Sequence, residues 1–134
     1  MKPPKKIKKL SDRGLLKTEI DTLFRANILK TRAHVCQWCN RPAEGRNLHV
    51  AHILPKGAHP KLRWCEENVL LLCFNCHLQV WHKNPIKAHE FMVKLRGENY
   101  KEKLLAIEAL QEKQSMFALE GLKFWYQQEK NKWK

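Results

Sequence analysis

Leu72-Cys73-Phe74-Asn75-Cys76-His77 ends an apolar run on a C-x-x-C pair and sets a histidine directly behind it. Cys36-Gln37-Trp38-Cys39 carries the same spacing upstream. Together the two pairs offer four thiolates, the complete ligand set of a closed tetrahedral Zn²⁺ site, so the expected role is structural. Thiol–disulfide exchange is the other chemistry that C-x-x-C supports, but two such pairs in one basic chain favour zinc. The interval between the pairs is longer than in a zinc ribbon, which predicts a folded insert there rather than a simple loop. Cys65, the fifth cysteine, reads as a free, partly buried thiol.

Inside that interval, Leu48-His49-Val50-Ala51-His52-Ile53-Leu54-Pro55 alternates like a strand. Lys61-Leu62-Arg63-Trp64 follows, and Glu67-Asn68-Val69-Leu70-Leu71-Leu72 reads as a second strand running into the second knuckle. His77 falls on the expected first turn of a helix, with His82 and Asn84 further on. The order is strand, strand, helix. A histidine ending the first strand (His52), an asparagine opening the second (Asn68) and a histidine on the helix (His77) make a constellation able to activate water and bind a cation. A neutral imidazole can take a proton near neutral pH, and a second can hold a divalent ion against a phosphate oxygen.

Working away from this module, the chain has 134 residues, the length of one domain. Hydrophobic residues at 43 % suffice for a core, and a formal charge of +13 points to a polyanionic partner. Residues 1–84 hold 16 basic and 6 acidic side chains against 10 and 7 in 85–134, so the first part is the one expected to face that partner. The longest apolar run, Val69 to Phe74, is six residues, far below the roughly 20 of a membrane-spanning helix. No membrane partner is expected. The basic start has no apolar stretch behind it, which predicts a reducing cytoplasm and reduced thiols.

Residues 1–10 read as a basic flexible tail, with Lys5 and Lys6 as candidate phosphate contacts. Residues 11–134 read as a single domain: an N-terminal helix over 11–33, the zinc module over 34–84 and a helical extension over 85–134. Leu16, Ile20, Leu23, Phe24 and Ile28 share one face of the first helix, with Ser11 or Asp12 as N-cap. Asn84-Pro85 and Gly97 bound a helix over 85–96. Two more are expected over 99–113, with Leu104, Leu105 and Leu110, and over 115–130, with Met116, Leu119, Leu122 and Phe124 or Trp125. The extension reads as a buttress for the module rather than a dimerisation arm, and the oligomeric state is not legible.

His52, Asn68 and His77, in that order and bracketed by zinc knuckles, resemble the HNH, or ββα-metal, nucleases, for which they would supply the three letters. The Arg63-Trp64 segment, His82-Lys83-Asn84-Pro85 and the helical C-terminal stretch are similar to the zinc-stapled phage type, including the NinG-like recombination nucleases. The resemblance covers about residues 34–96. It implies an α+β fold with a zinc-stabilised ββα core between an N-terminal helix and a helical extension, and a metal-dependent endonuclease acting on DNA. His52 would be the general base. Asn68 would fix the loop that holds it, and His77 would bind the catalytic cation, Mg²⁺, Mn²⁺ or another divalent ion, which would steady the pentavalent phosphate and the leaving 3′ oxygen. Arg63 and Lys56 would clamp phosphate.

Two departures from the family's pattern mark this chain. Ala51 stands where many members have a metal-ligating Asp, Glu or His, and His49, on the same strand face, is the candidate replacement. A second helix ligand is common four residues after the first, whereas here Trp81 holds that place and His82 comes one later. Five residues on an α-helix rotate by roughly 140°, so His82 can join the metal only if the helix unwinds or ends near it. These departures keep open a catalytically weak or inactive zinc-stapled DNA-binding protein of the same fold.

Overall fold

The computed structural model describes Pro3 and residues 11–132. The expected tail, with Lys5 and Lys6, lies outside the described residues apart from Pro3. The order is α1 (Asp12–Thr31), β1 (Leu48–His52), β2 (Val69–Cys73), a π-helical turn (Cys76–Trp81), α2 (Pro85–Arg96), α3 (Tyr100–Leu110) and α4 (Met116–Asn131). The fold class is α+β: a small antiparallel sheet with helices before and after it. Among the described residues no helix is long and apolar enough to cross a membrane.

The contacts divide the chain into two compact units, Ile28–Lys113 and the segments Met1–Asn27 with Gln114–Lys134. The extension is therefore divided, α2 and α3 grouping with the cysteine-bearing module and α4 with most of α1.

In the first unit, β1 and β2 pair with Leu48 opposite Cys73 and His52 opposite Val69. Val69 to Leu72 are all buried, as expected of an apolar run covered on both faces. The far edge of β2 is closed by Gln37, whose N–H reaches the Leu71 carbonyl at 2.8 Å while its Oε1 accepts from the Leu71 N–H at 2.9 Å. A 3₁₀ turn, Glu66–Asn68, leads into β2, and Arg32, just past the end of α1, and Arg96, at the end of α2, hold it. Arg32 donates to the carbonyls of Val69 and Glu66 at 2.9 and 2.7 Å, and Arg96 donates to that of Glu67. Trp38 of the first knuckle stacks on Phe91 of α2 at 4.4 Å and meets Trp81 edge-on at 6.4 Å, joining the cysteine region to the apolar core. In the second unit, Leu16, Ile20 and Phe24 of α1 and Leu119 and Tyr126 of α4 are buried. Phe24 meets Tyr126 edge-to-face at 5.9 Å, and Lys123 pairs with Glu19.

Local cap chemistry sets the helix ends. Ser11 Oγ accepts from the Gly14 N–H, Asn84 Oδ1 from Lys87 and Ser115 Oγ from Ala118, each at 3.1 Å. Gly97 ends α2 at φ 94°, a backbone region that suits glycine. Several expectations are corrected. The strands are shorter than 48–55 and start later than 67, because Asn68 closes a turn instead of opening β2. On α3 only Leu104 of the expected stripe is buried, together with Tyr100 one turn before it, while Leu105 and Leu110 are exposed. On α4 the buried face is set by Leu119 and Tyr126, seven residues and about two turns apart. Met116, Phe124 and Trp125 fall off that face and are exposed.

Candidate active site

The two knuckles converge. The Sγ atoms of Cys36, Cys39, Cys73 and Cys76 all lie within 4.8 Å of one another, with Cys39 and Cys73 at 4.0 Å. Four sulfurs around zinc at about 2.3 Å stand about 3.8 Å apart, so the cluster is compatible with the ion. The N–H groups of Cys39 and Cys76 point at the sulfurs of Cys36 and Cys73, both at 3.5 Å. Asn40, in the left-handed region at φ 62°, turns the chain back so that Cys36 N–H meets the Arg41 carbonyl at 2.9 Å. Burial acts to raise the Cys36 thiol, but backbone N–H groups of Cys39, Cys73 and Trp38 outweigh it and bring the pKa down to about 7. Burial, then hydrogen bonds shared with Cys73 and Cys36, push Cys76 far up. Cys65 stands outside the cluster, pushed up to about 11 by burial and by its bond to Glu67.

His52 ends β1, and its Nε2 donates to the Arg63 carbonyl at 2.8 Å. That bond places the proton of the neutral ring on Nε2 and the lone pair on Nδ1. Asn68 is fully buried and stitches the intervening loop: its Oδ1 accepts from the Leu54 N–H at 2.9 Å, and its Nδ2 donates to the carbonyls of Leu54 and Leu62 at 3.0 and 3.2 Å. The loop is the one that brings Arg63 to His52. Asn68→Ala would strand the buried N–H and C=O of Leu54 and leave the Leu62 carbonyl only its bond from the Cys65 N–H, so we expect it to lower stability by on the order of 3 kcal/mol. Urea unfolding with an unchanged m-value measures this; a loss below about 1 kcal/mol would show that the loop is held by other contacts.

His77 lies on the π-helical turn, not on a regular α-helix. The wider turn bonds residue i to i+5, and His82 N–H meets the His77 carbonyl at 3.1 Å. The extra residue is absorbed by widening, without unwinding, and Nε2 of His82 comes to 2.9 Å from Nε2 of His77. On the other side, His77 Nδ1 is 2.8 Å from His49 Nδ1. His49 Nε2 donates to the Arg46 carbonyl at 2.9 Å, so its Nδ1 is an acceptor and His77 donates to it. The His77 lone pair then sits on Nε2, facing His82. Burial, followed by the neighbouring rings of His82, His49 and His52, pushes His77 down to about 4, leaving it neutral at physiological pH. Two nitrogens ligating one ion at about 2.1 Å and a right angle are about 3.0 Å apart, so His77 and His82 fit a shared cation.

His52, His77 and His82 line one cavity of about 590 Å³, with Lys56 on its wall. His49 and Arg63 are not among its lining residues. The structure sets His49 behind His77 as its hydrogen-bond acceptor, and the Arg63 guanidinium 5.4 Å from the Trp64 ring centre while the Arg63 main chain holds His52. Ala51 is buried within β1. Sequence reasoning missed Gln37, the His59–Glu108 pair at 2.8 Å and the His89–Tyr100 pair at 2.7 Å. None of these has a local signature, since the partners lie on separate elements.

Residues 36–83, a little over a third of the chain, match the family model described as HNH endonuclease. The matched segment holds both knuckles, His52, Asn68, His77 and His82. No curated protein and no solved structure matches the chain.

Proposed function

We propose that the chain is a metal-dependent endonuclease that hydrolyses DNA phosphodiester bonds in a reducing cytoplasm. The observation that carries this reading is a histidine oriented by a main-chain carbonyl, His52, on the same cavity as the His77–His82 pair. A water oxygen attacks phosphorus, its proton passes to Nδ1 of His52, and the bond to the 3′ oxygen breaks, that oxygen taking a proton from solvent water, which leaves a 5′-phosphate and a 3′-hydroxyl. His77 and His82 would hold the divalent cation, which supplies charge for the developing phosphorane. His49, by accepting from Nδ1–H of His77, keeps the Nε2 lone pair aimed at the ion, the usual arrangement behind a ligating imidazole. Imidazole donors without a carboxylate favour Ni²⁺ or Zn²⁺ over Mg²⁺.

The four cysteines would carry structural zinc. Lys56, with Lys5 and Lys6, would supply phosphate affinity that falls with salt, while Arg63 serves through its carbonyl. The Arg63-Trp64 and His82–Pro85 segments support placing the protein with zinc-stapled phage-type proteins such as the NinG-like recombination nucleases.

Supercoiled plasmid incubated with Mg²⁺, Mn²⁺ or Ni²⁺ should be nicked or linearised, and a chelator should stop the reaction. Ala51, which offers no ligand, favours a second reading: a zinc-stapled DNA-binding protein without catalysis. Retention of plasmid on a gel with no cutting under any of the three cations would establish that reading over the first.

A further inference from the structure

The cavity that holds His52, His77 and His82 continues past the matched segment, where α2 and α3 supply His89, Met92, Tyr100 and Lys101 to its wall. A buttress needs apolar contacts, and Ala88, Met92 and Leu104 provide them. It does not need a polar pair on the cavity. His89 Nδ1 and the Tyr100 hydroxyl are 2.7 Å apart, and between a neutral imidazole and a phenol one polar hydrogen makes that bond and one is left to offer. Lys101 Nζ stands 6.0 Å from the Tyr100 ring centre, and Lys56 approaches from the loop after β1. That loop is tied to α3 by His59 and Glu108, which fixes the two walls against each other. A volume near 590 Å³ falls within the range of small-ligand sites. A volume of that size takes one nucleotide, and a base enters such a recess only when it is out of the stack.

We propose, building on the endonuclease reading, that α2 and α3 form a nucleotide subsite beside the scissile phosphate. Lys101 and Lys56 take the backbone phosphate, and the His89–Tyr100 pair donates to the sugar or base of one unpaired nucleotide.

Binding decides this without cleavage. The full chain carrying His52→Ala, with no divalent cation added, is titrated by fluorescence anisotropy with a short labelled single strand and with the matching duplex. Adding Lys101→Ala or His89→Ala should raise the single-strand Kd about tenfold, with little change for the duplex and, for the exposed Lys101, an unmoved melting temperature. Tyr100→Phe, which keeps the ring, should show a smaller loss. Lys103→Ala, two residues along α3 and off the cavity, should have no effect beyond a small change from lost charge. Unchanged single-strand affinity in both the Lys101 and His89 variants overturns the subsite, and a lowered melting temperature with unchanged affinity returns α2 and α3 to a buttress. Loss of affinity as described, in a protein whose unsubstituted form never cuts plasmid, sustains the subsite while removing the endonuclease reading. Cutting with affinity unmoved does the reverse.

Discussion

Stripping zinc from the full chain should unfold the segment around β1 and β2, and Cys73→Ala should do the same. The four sulfurs gather from two knuckles, tied also by the Cys73 N–H on Cys36, the Gln37 clamp on Leu71 and the packing of Trp38 on Phe91 and Trp81. Cys36 and Cys76 are themselves part of the buried core. Without an ion the cluster cannot be satisfied as four thiolates: Cys36 titrates near 7, whereas Cys76 is held strongly protonated by burial and its neighbours. Structural zinc in small modules is worth about 10–16 kcal/mol at neutral pH, as much as the whole stability of a typical domain, about 5–15 kcal/mol. Metal analysis of protein purified without added zinc should find about one zinc per chain. Near-ultraviolet circular dichroism, which reports on Trp38, Trp64 and Trp81, should collapse on chelation and return with Zn²⁺. Protein free of zinc, together with unchanged stability of Cys73→Ala, would end the claim.

What could be read in the sequence was whatever depends on residues close together in the chain. A C-x-x-C pair makes a knuckle by itself, and the bounds of α2 follow from Asn84, Pro85 and Gly97 acting on their own backbone. The order of His52, Asn68 and His77 needs only two strands and a helix in sequence. What could not be read depends on widening or on distant partners. The five-residue step from His77 to His82 argues against a shared ligand on an α-helix and for one on a π-turn, and nothing local in Cys76–Trp81 announces the wider turn. Arg63 reads as a phosphate clamp because a side chain is what a sequence displays, and the structure adds a main-chain role that the sequence does not show, its carbonyl accepting from Nε2 of His52. His59 finds Glu108 across 49 positions, a pairing that only the packing of α3 creates. The stripe on α4 misled for another reason: several apolar residues compete for one face, and the face followed Leu119 and Tyr126.

His52→Ala and His77→Ala should fail in different ways, because in the proposed reaction one ring would move a proton and the other would hold an ion. His52 is fixed through Nε2 to the Arg63 carbonyl, so its loss removes the acceptor for the water proton and leaves the His77–His82 pair intact. Cleavage should drop by roughly 10² to 10⁴ with DNA and cation binding retained. His77 stands between His49 and His82, and Ala51 offers no substitute. Its removal should weaken cation affinity by at least about tenfold, so part of the lost rate should return at high Mn²⁺. His82→Ala should resemble His77→Ala, because the π-turn sets the two Nε2 atoms against one another. His49→Ala should cost less affinity than either, because His49 touches His77 only from behind. Titrating Mn²⁺ into the four variants, with binding followed by calorimetry and nicking by gel, separates these roles. Full activity in His52→Ala removes the proposed base, and loss of cation binding in His52→Ala with none in His77→Ala inverts the assignment.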